Sequence, residues 1–153
     1  MNHTPVGKQL SEYNQLYKEN SAIYHDICGK FGLSDSTFWI LYTLRAEEPP
    51  ITQSDICILL SQPRQTVNSA LKKLEHDGLI SLSGEGGRRG KPISLTQAGL
   101  ELAAHTADLV IEAEQNALLD LSPEEQRQML DSMRRYNTTL TARMRKIKEN
   151  LHE

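Results

Sequence analysis

Thr66-Val67-Asn68-Ser69-Ala70-Leu71-Lys72-Lys73-Leu74-Glu75-His76-Asp77-Gly78-Leu79-Ile80 is the segment from which the rest of the chain can be ordered. Val67, Ala70, Leu71 and Leu74 recur at helical spacing and make an inward face. Gln65, Thr66, Asn68, Ser69, Lys72 and Lys73 are left outward or flanking. Gln62-Pro63 reads as a turn, with Pro63 near the helix start, and Gly78 ends the helix. Upstream, Thr52 and Asp55 have capping-box spacing. They open a short helix with Ile56, Leu59 and Leu60 as its apolar face, ending near Ser61. Downstream, Leu79-Ile80-Ser81-Leu82 and Pro92-Ile93-Ser94-Leu95 read as two strands of a hairpin. Between them Gly84–Gly90 holds four glycines and two arginines, a loop composition.

Further out, the chain is helical on both sides. Asp35 to Ala46 carries Phe38, Leu41, Tyr42 and Arg45 on one side, with Trp39 and Leu44 adjoining. Glu47-Glu48-Pro49-Pro50 stops it. Residues 1–7 read as frayed. From Lys8 to Lys30, Leu10, Tyr13, Tyr17, Asn20, Tyr24, Ile27 and Phe31 alternate at spacings of three and four, a seam of the coiled-coil type. Gly32 ends that helix and Ser34 caps the next. Thr96 caps a fifth helix, read as one element from Gln97 to Leu119. Ser122, Pro123 and Glu125 start a sixth, running to Asn150. Its seam is Leu130, Met133, Asn137, Leu140, Met144, Ile147 and Leu151. Two apolar seams at opposite ends either pack on each other within one chain or pair between two copies; an Asn in each could set register.

Composition narrows the function classes. The chain has 153 residues, 17 Lys and Arg against 20 Asp and Glu, and a formal charge of −3. Between Ser61 and Leu95, however, Arg64, Lys72, Lys73, Arg88, Arg89 and Lys91 outnumber Glu75, Asp77 and Glu85. That segment is net +3 and the remainder is net −6. A basic patch in an acidic chain points to a polyanionic partner. No apolar run approaches membrane-spanning length and no signal pattern opens the chain, so a cytoplasmic protein is expected. The five histidines and two cysteines form no metal-ligand spacing, and no nucleophile or phosphate-loop motif is present. No cofactor, no metal and no catalytic activity are expected.

The order of short helix, turn, second helix and basic hairpin is that of a winged helix-turn-helix. Its second helix needs short polar side chains to reach base edges in a major groove. Gln65, Thr66, Asn68 and Ser69 supply them near the helix start. Lys72 and Lys73 suit phosphates. Arg88, Arg89 and Lys91 at the hairpin tip suit a narrow minor groove.

At these residues the chain resembles the MarR family of bacterial transcription regulators. The matching stretches are Thr52–Ile56, Thr66–Ile80 and Ile93–Gly99, and the helix order fits from Lys8 to Asn150. The resemblance implies a mainly α fold with a small β-hairpin wing, and a homodimer intertwined through both termini. It implies a division into an N-terminal dimerisation helix (1–33), a winged helix-turn-helix (34–96) and C-terminal linker and dimerisation helices (97–153). The dimer interface would then include Leu10, Tyr13, Tyr17, Leu130, Met133, Leu140, Met144 and Ile147. DNA contacts carry over to Arg64, Gln65, Thr66, Asn68, Ser69, Lys72 and Lys73, and in the wing to Arg88 or Arg89. The family's wing usually has an aspartate before the arginine pair; here Gly87 stands there, with Glu85 as a substitute, so a looser wing is expected. An effector pocket for a small aromatic or amphipathic molecule falls among Tyr24, His25, Cys28, Trp39, Tyr42 and Arg45.

These readings converge on a ligand-responsive repressor of a pseudo-palindromic double-stranded operator. Two alternatives stand beside it. One is a winged domain that docks an acidic protein and has no operator of its own. The other is a thiol-based redox sensor using Cys28, which has His25 and Lys30 nearby; against it stands the plainer reading of two ordinary buried thiols, with Cys57 in an apolar run.

Overall fold

The first helix begins earlier than its apolar seam. Thr4 accepts a hydrogen bond from the Gly7 amide through Oγ1 at 3.1 Å, and Pro5 occupies the first helical position. The helix α1 therefore spans Pro5–Lys30, and residues 5–7 are helical where fraying was expected. The computed structural model describes residues 4–82 and 90–151. Gly32 at φ +69° turns the chain out of α1, and Ser34 caps α2, Asp35–Ala46. Then follow β1 (Ile51–Thr52), α3 (Gln53–Leu59), α4 (Arg64–His76), β2 (Ile80–Leu82), β3 (Pro92–Leu95), α5 (Gln97–Ala104), α6 (Ala107–Leu119) and α7 (Pro123–Asn150).

The chain divides into two compact units, Met1–Ile111 and Glu112–Glu153. The core of the first is built around α2. Phe38, Ile40 and Leu41 are fully buried there, with Ile56 from α3 and Val67, Leu71 and Leu74 from α4. Ile51, Ile80 and Ile93 add one residue from each strand, and Ala103 and Ala107 close the far side. Each fully buried aliphatic side chain contributes about 1.5–3 kcal/mol by leaving water. With few aromatics, these aliphatic residues carry most of the core. Leu59 is an exception to the expected α3 face: it is exposed, as is Ile58. Ile56 alone of α3 is buried, because seven residues make only two turns.

The sheet has three strands in the order β1-β3-β2, all antiparallel. The hairpin strands pair as expected, with Ile80 opposite Leu95 and Leu82 opposite Ile93. The added strand β1 pairs Ile51 with Ile93 and Thr52 with Pro92. Two residues after a diproline show no periodicity, so only the pairing reveals this strand. The expected single helix from Gln97 to Leu119 is also two. His105 is the C-cap of α5, and its neighbour Thr106 is buried, with its hydroxyl donating to the Leu102 carbonyl at 2.7 Å. Such back-bonding by threonine favours a bend over a straight helix.

The second unit is organised by one cap. Ser122 and Glu125 form a reciprocal capping box at the start of α7, and Pro123 sits in its first turn. Gln126 Nε2 donates to the carbonyls of Leu118 and Leu121, both at 2.9 Å, tying the α6–α7 turn to the helix it precedes. Hydrogen bonds from the Ser122 hydroxyl and amide hold the Glu125 carboxyl below the usual range. Glu124 is lowered too, first by Arg127 and then by Gln128. A carboxylate with a depressed folded pKa contributes stability above its unfolded pKa and loses it as pH falls through the folded value. The destabilisation caused by Glu125→Ala is therefore expected in full at pH 7 and reduced below about pH 4. Thermal melts of both proteins at the two pH values check this; equal gaps would contradict it.

Candidate nucleic-acid interface

Helix α4 meets the core with Val67, Leu71 and Leu74, and that contact fixes which side chains face solvent. Arg64, Gln65, Thr66, Ser69, Lys72 and Lys73 are exposed, Asn68 is half-buried, and Ala70 is half-buried at the flank. Ser69 Oγ donates to the Gln65 carbonyl at 3.0 Å, which turns its lone pairs outward as acceptors. Pro63 is the N-cap and offers no side-chain hydrogen bond. The first-turn amides of α4 therefore carry the positive end of the helix dipole without a capping side chain.

The helix is positioned from two sides. Gln53 Nε2 of α3 donates to the Arg64 carbonyl at 3.4 Å. The turn between α3 and α4 passes through Ser61 at φ +51°, a left-handed conformation that favours glycine. Beside α4 runs a groove of about 260 Å3. Its walls include Gln53 and Ser54 from α3, Arg64, Asn68 and Lys72 from α4, and Leu82, Gly90 and Lys91 from the root of the hairpin. Three cations and three uncharged polar side chains thus face one concave surface, with Glu75 at its edge. Sequence reading identified the α4 and Lys91 members and missed Gln53 and Ser54, whose spacing on α3 carries no signal. Arg88 and Arg89, with Glu85 and Gly87, lie outside the described residues.

Residues 31–90 match the MarR family. No curated protein sequence matches the chain. Among solved structures, the MarR-family regulator NMB1585 of Neisseria meningitidis is 26% identical with a TM-score of 0.73, covering 93% of this chain and 98% of its own. Staphylococcus aureus MepR in its DNA-binding conformation is 26% identical at TM-score 0.70, covering 84% of this chain and 98% of that one. A MepR–DNA complex is 25% identical at TM-score 0.66, over 84% and 93%.

The chain has the winged-helix fold of these MarR-family regulators, and residues 31–90 carry the family's match.

No helix among the described residues is long and apolar enough to cross a membrane.

The expected pocket residues separate into two groups. A cavity of about 360 Å3 between α1 and α2 is lined by Tyr24, His25 and Trp39, together with Tyr17, Asn20, Ser21 and Asp35. Tyr24 and Trp39 pack with centroids 5.1 Å apart, and Tyr42 meets Trp39 edge-on at 5.2 Å. His25 Nδ1 lies 3.2 and 3.1 Å from the two Asp35 carboxylate oxygens. Cys28, Tyr42 and Arg45 do not line the cavity. Arg45 instead makes a bidentate pair with Asp108 at the start of α6, Nε to Oδ1 at 2.7 Å and Nη2 to Oδ2 at 2.8 Å. That pair raises the Arg45 pKa further, first through its hydrogen bond. Asp35 was missed as a lining residue because its place in the first turn of α2, where a carboxylate suits the helix dipole, explains it locally.

Cys28 is buried, as two ordinary buried thiols would have it, and Cys57 is more open than expected. Cys28 is 1% exposed, in the core, whereas Cys57 is half-buried. Desolvation, then the charge of Asp35, pushes the Cys28 thiol up from its ordinary value. A buried, protonated thiol is a poor nucleophile. Under native conditions iodoacetamide is expected to label Cys57 well before Cys28, with equal rates in denaturant. Faster labelling at Cys28 would restore its sensor role.

Proposed function

We propose that the chain acts as a homodimeric, sequence-specific double-stranded DNA-binding repressor in the cytoplasm, relieved by a small aromatic or amphipathic effector. The observation that carries the reading is the exposed polar face of α4, with its uncapped N-terminus, beside the cationic root of the hairpin. Gln65, Thr66, Asn68 and Ser69 read base edges; Arg64, Lys72 and Lys73 hold phosphates; Arg88, Arg89 and Lys91 engage the flanking minor groove. The DNA-bound MepR structure, similar in fold, supports this assignment.

Dimerisation uses residues 1–33 and 97–153, leaving 34–96 to bind DNA. Leu10, Tyr13 and Tyr17 on α1 are exposed, as are Leu130, Met133, Met144 and Ile147 on α7, where Leu140 is half-buried. Apolar rows of this length call for a partner, and a second copy supplies one. Two-fold symmetry then implies a pseudo-palindromic operator with half-sites about one helical turn apart. The effector enters the cavity at Tyr24, His25 and Trp39, and shifts the dimer between two states of different DNA affinity.

The test is fluorescence anisotropy with duplex DNA from upstream of the protein's own gene, against a scrambled duplex, across a salt series. Tighter binding to the native duplex at physiological salt is expected. Equal weak binding to both, vanishing with salt, would favour protein docking instead. The exposed Ile58 and Leu59 at the end of α3 are the feature that favours that second reading.

A further inference from the structure

We infer that the cavity between α1 and α2 takes a cationic aromatic ligand, with Asp35 as its counter-charge and Tyr24 and Trp39 as its aromatic walls. This rests on the effector pocket proposed above and names the chemistry of what enters it.

The sign of the ligand follows from which charges remain at the site. Arg45, expected in the pocket, lies off its lining and is held by Asp108 through two hydrogen bonds. No lysine or arginine is among the described residues lining the cavity. An anionic ligand would face the Asp35 carboxylate without a guanidinium or ammonium to receive it. A cation meets the opposite situation. Asp35 is about half exposed, and His25 approaches both of its oxygens through one nitrogen. A carboxylate offers about four lone-pair directions, so acceptor capacity remains beside His25.

The ring walls suit the same charge. Tyr24 and Trp39 are inclined to each other at 51°, forming a corner, and Tyr17 adds a third aromatic ring to the lining. Phe38 and Tyr42 each pack edge-on against Trp39, at 5.2 Å, and hold the indole in place. The negative faces of such rings attract a cation, best at tryptophan. A flat aromatic portion of the ligand can lie in the same corner by offset stacking.

Trp39 is the single tryptophan of the chain, so its emission reports occupancy directly. The experiment titrates the full-length protein with benzyltrimethylammonium, with its uncharged isostere neopentylbenzene, and with benzoate. Saturable quenching by the cation is expected, at least about tenfold tighter than for the isostere. Asp35→Asn is expected to remove about that tenfold preference while leaving the isostere unchanged. Circular dichroism checks that the variant is folded, and the benzoate comparison on the unaltered protein needs no variant at all. Benzoate or neopentylbenzene binding as tightly as the cation overturns the assignment, as does an unaffected Asp35→Asn. Operator affinity measured in parallel separates the two readings. Intact operator binding with no cation binding overturns only the ligand assignment. Cation binding without operator binding upholds it and removes the DNA reading.

Discussion

Replacing Gly99 by alanine is expected to lower stability by about 3 kcal/mol or more and the melting temperature by about 10 °C. The sign is opposite to the usual rule. In a helix interior, alanine is favoured over glycine by about 1 kcal/mol. Here a Cβ would lie 1.9 Å from the Leu79 carbonyl oxygen and 3.0 Å from its carbon. That carbonyl cannot retreat freely, because it accepts the Thr96 amide at 3.0 Å. The Thr96 hydroxyl also donates to the Gly78 carbonyl at 2.6 Å. The start of α5 is thereby clamped against the junction of α4 and β2. Relieving the overlap means breaking the clamp or shifting the hairpin. Gly29→Ala in α1 is the control: nothing lies within 4 Å of its Cβ, and it is expected to stabilise by up to about 1 kcal/mol. Urea melts of both variants check the pair. A Gly99→Ala protein as stable as the parent would show that the α5–β2 contact is not close-packed in solution.

The second large effect is expected at Asn68. Asn68→Ala should weaken binding to the operator by about tenfold to a hundredfold and leave the scrambled duplex nearly unchanged. Asn68 is half-buried in the groove wall that also holds Arg64, Lys72 and Lys91. Its carboxamide can pair bidentately with an adenine, a contact worth about 1–3 kcal/mol in discrimination. Folding should change by no more than about 0.5 kcal/mol, since alanine is the better helix former and no hydrophobic contact is lost. Lys73→Ala gives the contrast. A phosphate contact weakens both duplexes alike and reduces the salt slope by about one. If Asn68→Ala instead weakens both duplexes equally, the residue does not read bases and α4 binds only the backbone.

Much of the site was legible because its signals are short-range. The inward face of α4 follows from Val67, Leu71 and Leu74, and burying that face commits Gln65, Ser69 and Lys72 to solvent. The pocket was legible only in part. Tyr24 and Trp39 could be named from their helices, but whether Arg45 joined them depended on Asp108, which is 63 residues away. A guanidinium goes to the carboxylate that offers it two aligned hydrogen bonds. Arg45 pairs there and does not line the cavity, where Asp35 is the acidic lining residue.

By itself the sequence determined the order of the helix-turn-helix and hairpin, the bounds of α2, and the caps at Ser34, Thr52, Thr96 and Ser122. Each depends on residues within one or two turns of one another, where periodicity and side-chain-to-backbone hydrogen bonds act. Only the tertiary structure decided the strand β1, the break between α5 and α6, the partial exposure of Cys57, and the pairing of Arg45 with Asp108. A two-residue strand exists only through its partner β3. A cysteine is buried or open according to what packs across it. Burial and pairing between distant residues leave no period in the chain, so no local pattern could have announced them.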